Sequence, residues 1–296
     1  MAKGRELKSR IKSVEGTRKI TRTMEMVATS KLKRAQDRVV GARPYAEALT
    51  GVIADLYSPA LAERFPLFRQ PAQIRRAGVL LLTSNRGLAG AFNANLIREG
   101  RQLLERLQKD GIETELHAVG RKGLGYFRYI GAPIASSRTD IGDRPTSDEA
   151  AQLVDPLMAE FVAGRLDAVY VVYARYNSPL STPPTTEQIL PVTPPERSTG
   201  TKDKDGKFAG LARDYLLFPS AEVILRELVP LYVRNAVYRA LVETAAGFQG
   251  AQRTAMKNAT DNAGEMLNTL RRTYNRARQA QITQEIAEIV GGAEAL

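Results

Sequence analysis

At 296 residues the chain can hold one large domain or two modest ones, and its 43% hydrophobic content is that of a folded protein, not a disordered one. The absence of cysteine excludes disulfides, thiol catalysis and cysteine-ligated metals, and no apolar run reaches the ~18 residues of a membrane-spanning helix. The net charge is +11, and residues 1–40 carry twelve Lys/Arg against four acids, a focus that calls for an acidic partner: nucleic acid, an anionic membrane or an acidic protein surface.

The opening MAKGRELKSR lacks the apolar stretch of a secretory signal, and Glu6 within an immediate helical pattern assigns it to the mature fold. Residues 1–57 form one helical pattern. Stripes Leu7, Ile11, Val14 and Ile20, Met24, Val27 lead into a heptad seam: Ala28, Leu32, Ala35, Val39, Ala42, Ala46, Leu49, Ile53, Leu56. Its alanines let a partner helix approach closely, with little burial from each. Pro44 removes a backbone donor, but the seam resumes in phase, so a bend is expected rather than a break. Residues 58–76, with Pro59 and Pro66, form a linker.

Residues 77–195 differ in kind. Strands are predicted at 77–83, 113–119, 133–137, 166–175 and 187–192. Helices are predicted at 93–111, capped by Asn93 and stopped by Gly111, and at 147–163, with Pro156 an irregularity. Residues 121–131 are a short helix or loop. The alternation means an α/β sheet. A connector at 196–214 contains a turn at Asp205-Gly206. Residues 215–290 are again helical, with a seam Ala263, Leu267, Leu270, Tyr274, Ala277 that turns polar at Gln281, Gln284 and Glu288, before a tail at 291–296. Some 70 residues at ~1.5 Å each make a helix on the order of 100 Å, longer than any core of this size encloses. The two long helices are therefore expected to pair antiparallel as a left-handed coiled coil, a helical hairpin with a Rossmann-like α/β domain inserted between its arms.

Candidate chemistry is sparse. The turn 84-SNRGLAGAFN-93 follows a strand and precedes a helix, where backbone N–H groups can hold a phosphate. It lacks the Lys-Ser/Thr of a P-loop and the G-x-G-x-x-G spacing, so its glycines serve geometry. His117 is the one histidine and has no second ligand at metal spacing; 203-DKDGK-207 lacks the third acid and the closing Glu of a calcium loop. No catalytic, cofactor or metal residue is expected. The alternative on charge alone is a basic coiled-coil protein gripping nucleic acid through phosphates.

Taken together, 19-KITRTMEMVATSKLKRAQ-36, 44-PYAE-47, 84-SNRGLAGAFN-93, 255-AMKNATDNAGEML-267 and 275-NRARQAQITQEIAEIVGGA-293 resemble the γ subunit family of F-type ATP synthases over essentially the whole chain. The resemblance implies one copy per complex, standing as an axle inside a ring of α and β subunits. The α/β domain sits at its foot, against the ε subunit and the c-subunit rotor ring. Catalysis then belongs to β, with no cofactor on this chain and no nucleic-acid partner. The expected location is peripheral, on the cytoplasmic face of a bacterial plasma membrane. Carried over by position, Met24 faces the β levers, and Lys19, Arg22, Lys31 and Lys33 supply positive charge opposite acids there. Arg278, Gln279, Thr283 and Glu285 match the motif that contacts β loops. There are departures. Ala89 replaces a frequent Cys, and the plastid cysteine pair is missing. Gln252 stands where relatives usually have Arg, beside Arg253. Gly247 and Gly250 interrupt a usually Ala/Arg-rich stretch; at roughly 1 kcal/mol each relative to Ala they suggest local softness.

Under this resemblance 278-RQAQITQE-285 runs on as a single helix past its hairpin mate. Polar positions with a thin Ile282–Ile286–Ile289 stripe then make a bearing surface for the surrounding subunits.

Overall fold

The computed structural model describes residues 2–57, 64–193 and 220–294, without the side chains of 2–4 and 290–294. The expected connector at 196–214, its Asp205-Gly206 turn and the last two residues of the tail lie outside these residues. The chain divides into two compact units: residues 1–30 with 252–296, and residues 31–251. The division falls inside both long helices, α1 (Ala2–Leu56) and α5 (Ala221–Glu294).

The larger unit is built on a sheet in the order β3-β2-β1-β4-β5. β1 (Arg76–Leu82) pairs in parallel with both β2 (Glu113–Val119) and β4 (Ala168–Ala174), β3 (Ser136–Arg138) adds in parallel to β2, and β5 (Pro184–Leu190) closes the other edge antiparallel to β4. The connecting helices are α2 (Phe92–Lys109), α3 (Arg121–Tyr129) and α4 (Ser147–Val162). The α/β reading thus holds, with corrections at its edges. β5 begins three residues before its expected start because Pro184 and the polar Thr185 and Thr186 are admissible on an edge strand, where one side of the backbone needs no partner. Asn93 does not cap α2, whose N-cap is Ala91. Gly111 does stop that helix. At φ +75° it lets its own N–H bond Gln108 and the N–H of Ile112 reach the Leu107 carbonyl, the paired bonds of a Schellman end. α4 runs unbroken through Pro156 and starts on a full capping box, Thr146 with Glu149.

Period-two alternation along β1 splits the core. Ala77, Val79 and Leu81 face α2 and α3 through Leu103, Leu107 and Phe127. Leu80 and Leu82 face α4 through Val154, Leu157 and Phe161, and the same cluster takes in Leu49 and Ile53 of α1 and Leu225, Val229 and Val233 of α5. Both long helices therefore contribute a layer to the α/β unit. Within it α1 and α5 are antiparallel: Ile53 and Leu49 share a cluster with Val229 and Val233, and Leu32, Ala35 and Val39 one with Val242 and Ala246. α1 continues through Pro44. The alanine-rich part of the seam does not close tightly. Ala42 and Ala46 line a cavity of about 280 Å³ with Arg43, Glu47, Arg239, Val242 and Glu243. Gly247 and Gly250, expected as soft points, are instead buried against Phe92 and the β4–β5 connection, and at Gly250 the missing side chain is a packing requirement.

In the smaller unit the two helices are also antiparallel. Thr260 Oγ1 lies 2.8 Å from Thr21 Oγ1 with both residues buried, Gly264 lies beside Arg18, and Arg271 pairs with Glu15 at 2.5 Å. Ala263 and Leu267 are buried; of the early α1 stripes Ile20 (61% exposed) and Val27 (51%) are exposed, while Leu7, Ile11, Val14 and Met24 are half-buried. Ile282, Ile286 and Ile289 are exposed as well.

Candidate functional site

In a sheet of this order the crevice for a ligand opens where neighbouring crossovers diverge, at the carboxyl ends of β1 and β4. The glycine-containing turn follows β1, and its polar groups are spent inside the fold. The backbone N–H and Oγ of Ser84 each lie 3.0 Å from Asn93 Oδ1. The Asn85 amide donates to the carbonyls of Thr139 (2.9 Å) and Ile141 (2.8 Å) and accepts from the Arg121 N–H (3.0 Å). Thr83 Oγ1 donates to the Val119 carbonyl at 2.8 Å and accepts from the Gly123 N–H at 2.9 Å. Leu88 and Gly90 take φ of +62° and +57°, which explains a glycine at 90 and leaves Leu88 as a non-glycine residue held in the left-handed region.

The crevice itself is filled by α5. Leu241, Thr244, Ala245 and Phe248 reduce it to a cavity of about 50 Å³, room for a water or two and not for a nucleotide. Thr244 Oγ1 accepts from the Ala174 N–H at the end of β4, and a Glu243 carboxylate oxygen accepts from the Tyr176 N–H at 2.9 Å. Where a dinucleotide-binding sheet would seat its cofactor, this one seats the long helix.

His117 sits in β2 with Nδ1 2.8 Å from Ser136 Oγ on the edge strand and Nε2 3.7 Å from Glu115. Burial lowers its pKa against the pull of Glu115. Glu115 is already held by Arg76 at 2.5 Å, and His117 Nε2 has no hydrogen-bond partner among the described residues. A serine–histidine–acid relay needs both ring nitrogens bonded, so this set is a sheet-edge contact.

The charged surfaces remain. Lys19 and Arg22 are exposed and enter no ion pair among the described residues; Met24 is half-buried and Met26 is 59% exposed. Arg278, Gln279, Thr283 and Glu285 are all exposed on one helix. Their internal bonds are local: Thr283 Oγ1 donates to the Gln279 carbonyl at 3.0 Å, and Gln281 donates to Glu285 at 2.9 Å. These residues belong to the smaller unit. Lys31 and Lys33 belong to the larger one. Lys33 pairs with Asp37 at 2.9 Å, and Lys31 pairs with Asp143 at 3.0 Å. The charge of Lys31 is thus matched within the chain. Asp143 also takes Arg86, and its carbonyl accepts from Arg38 at 2.9 Å. Although burial opposes it, Arg86 and Lys31 hold the Asp143 carboxyl below its ordinary value. Sequence reasoning missed this residue because it lies in a loop, where no periodicity marks it.

Comparison with known proteins agrees with this arrangement. The family model described as ATP synthase matches residues 3–296. The ATP synthase gamma chain of Gemmatimonas aurantiaca is 64% identical over 296 residues, covering all of this chain and 99% of the relative. That of Moorella thermoacetica is 44% identical over the full length of both. Among solved structures, a chain of the Euglena gracilis mitochondrial ATP synthase rotor matches with a TM-score of 0.65 at 19% identity, over 95% of this chain and 99% of that one. A central-stalk chain of the Tetrahymena thermophila enzyme matches with a TM-score of 0.60 at 24% identity, over 81% and 99%. The latter two establish a shared fold.

Proposed function

The chain belongs to the ATP synthase gamma-chain family, and we propose that it is the central-stalk rotor subunit, carrying rotation between a proton-driven ring and the catalytic β subunits. One observation carries this reading beyond the family. The crevice of the α/β unit, the natural place for chemistry, is filled by the chain's own long helix, while exposed basic and polar residues line free stretches of both long helices. Such a molecule acts by presenting different contacts to different neighbours. An asymmetric axle biases each surrounding site in turn through differential contact energy.

In this reading the chain contributes no catalytic group. The α and β subunits surround residues 1–30 and 252–296; the ε subunit and the c-ring meet the α/β unit; one copy serves each complex. Lys19, Arg22, Met24 and Lys33 face the β levers, and Arg278, Gln279, Thr283 and Glu285 face β loops. The resemblance places Lys31 with them, but its pairing with Asp143 supports an internal role instead. The domain division at residues 57, 76, 195, 214 and 290 is kept as a functional one: axle, linker, foot, connector, axle, tail. No helix among the described residues is long and apolar enough to cross a membrane, which fits a peripheral place, proposed here as the cytoplasmic face of a bacterial plasma membrane. The nucleic-acid alternative finds no support in the comparisons.

The test is affinity isolation of the tagged chain from its native membranes. Co-isolation of α, β and ε subunits with ATPase activity is expected; recovery of the chain without them would sink the reading.

A further inference from the structure

The loop between β3 and α4 is held from two sides. Lys31 and Arg38 stand seven residues apart in α1, two turns along one face, and both reach Asp143: Lys31 Nζ to the carboxylate at 3.0 Å, Arg38 Nη1 to the carbonyl at 2.9 Å. From the other side Arg86 donates to the same carboxylate oxygen, and its neighbour Asn85 holds the carbonyls of Thr139 and Ile141. One short loop therefore joins a helix of the proposed axle to the turn at the tip of β1. The Asp143 side chain is 31% exposed and that of Lys31 37%, so the pair is partly shielded from solvent and salt.

Among the described residues α1 also meets the α/β unit through Leu32, Ala35 and Val39, which share an apolar cluster with Tyr176. Leu49, Ile53 and Leu56 make apolar contacts with the sheet's core, and Gln36 donates to Tyr176 Oη at 2.6 Å. Apolar burial holds surfaces together but is non-directional. Charge-assisted hydrogen bonds fix angle as well as distance. Removing the carboxylate would also leave Lys31 and Arg86 facing one another across the vacated position.

We propose that Asp143 is a positioning residue that locks the angular set of the α/β elements on residues 31–38 of α1, so that torque passes between them without slack. This rests on the rotor reading above. Asp140 supplies an internal control: it lies three residues away in the same loop but bonds Arg138 rather than α1.

The experiment uses the complete ATP synthase reconstituted in vesicles, with a probe fixed to the α/β unit to follow angular fluctuation of the stalled rotor. Proton pumping per ATP hydrolysed is measured in parallel. Asp143→Asn should raise the angular variance by about twofold or more, as expected for loss of one directional tie among several, and lower pumping per ATP under load. Asp143→Glu should recover much of both, and Asp140→Asn should match wild type. The double variant Lys31→Met/Asp143→Asn should be no worse than Asp143→Asn, since both remove one interaction. Wild-type variance in Asp143→Asn, or an equal rise in Asp140→Asn, overturns the proposal. If Asp143→Asn does not assemble, Arg86→Met and Lys31→Met carry the test, and wild-type variance in both overturns it. Failure of wild type itself to assemble or rotate would count against the rotor reading and is distinguishable from these outcomes.

Discussion

A Cβ added to Gly250 would stand 2.8 Å from the carbonyl oxygen of Pro179, closer than real side chains come to backbone. Gly247, three residues earlier, faces Phe92 and Thr182 at 3.2 and 3.3 Å. α5 can lie this close to the β4–β5 connection because Gly250 carries no side chain, and the fit at Gly247 is tight as well. Gly250→Ala should therefore destabilise by about 1–3 kcal/mol, although alanine is the better helix former by about 1 kcal/mol. Gly264→Ala, whose Cβ would meet only the Arg18 guanidinium at 3.8 Å, should be neutral or stabilising by up to about 1 kcal/mol. The denaturant midpoint should fall for Gly250→Ala and hold or rise for Gly264→Ala; a midpoint for Gly250→Ala that does not fall would refute the packing account.

Gln249 is 1% exposed and neither atom of its amide has a hydrogen-bond partner among the described residues. It takes the seam position after Val242 and Ala246, which pack on Leu32, Ala35 and Val39. An unpaired buried amide costs about 1–3 kcal/mol in desolvation, so Gln249→Leu, close in volume, should raise the melting temperature by a few degrees. A lower melting temperature would show the amide to be satisfied by solvent.

Asn85 makes three bonds to backbone groups of two other segments. Asn85→Ala should cost about 2–3 kcal/mol by leaving partly buried carbonyls unmet. Equilibrium unfolding measures it, and a loss under about 0.5 kcal/mol, typical of surface positions, would show the clasp to be ornamental.

Gln279 is exposed, and among the described residues only its backbone is engaged, by Thr283. Gln279→Leu should leave the melting temperature of the isolated chain within about a degree, as for surface substitutions generally, while lowering coupled turnover in the assembled enzyme. A melting temperature that falls by several degrees, or unchanged turnover, contradicts its place on the contact surface.

Two acids should give opposite pH dependences. Asp143, though partly buried, is held below its ordinary 3.8 by Arg86 and Lys31. Its contribution to stability is present above that value and lost as pH falls through the lowered one. Burial raises the Glu243 pKa above its ordinary 4.5, against the Tyr176 N–H and Arg239. Its contribution is most favourable below 4.5 and is lost as pH rises through the raised value. Melting curves from acid to neutral pH should thus show Asp143→Asn losing stability relative to wild type as pH rises, and Glu243→Gln gaining. Parallel curves for either variant would contradict its assignment.

Much of the fold was legible in the residues. The seam from Ala28 to Leu56 encodes a paired helix because a 3.5-residue period keeps one face toward a mate. The apolar runs of β1 and β4 encode strands covered on both faces. The polar turn of the seam at Gln281, Gln284 and Glu288 matches the exposure of Gln284 and Glu288, while Leu270, Tyr274, Ala277 and Gln281 stay half-buried. The family resemblance pointed to Lys19, Arg22 and Met24 and to Arg278, Gln279, Thr283 and Glu285; all of these are exposed except Met24, which is half-buried. What tertiary structure alone decided lies in contacts between segments far apart in sequence. It turned Asn93 from a helix cap into the partner of Ser84, Gly247 and Gly250 from soft points into close contacts, Lys31 inward to Asp143, and α5 into the crevice of the sheet. Periodicity reports which face of an element is buried, because burial repeats along it. A single hydrogen bond or a single missing Cβ leaves no repeat, and its meaning is set by the atom brought opposite it when the chain folds.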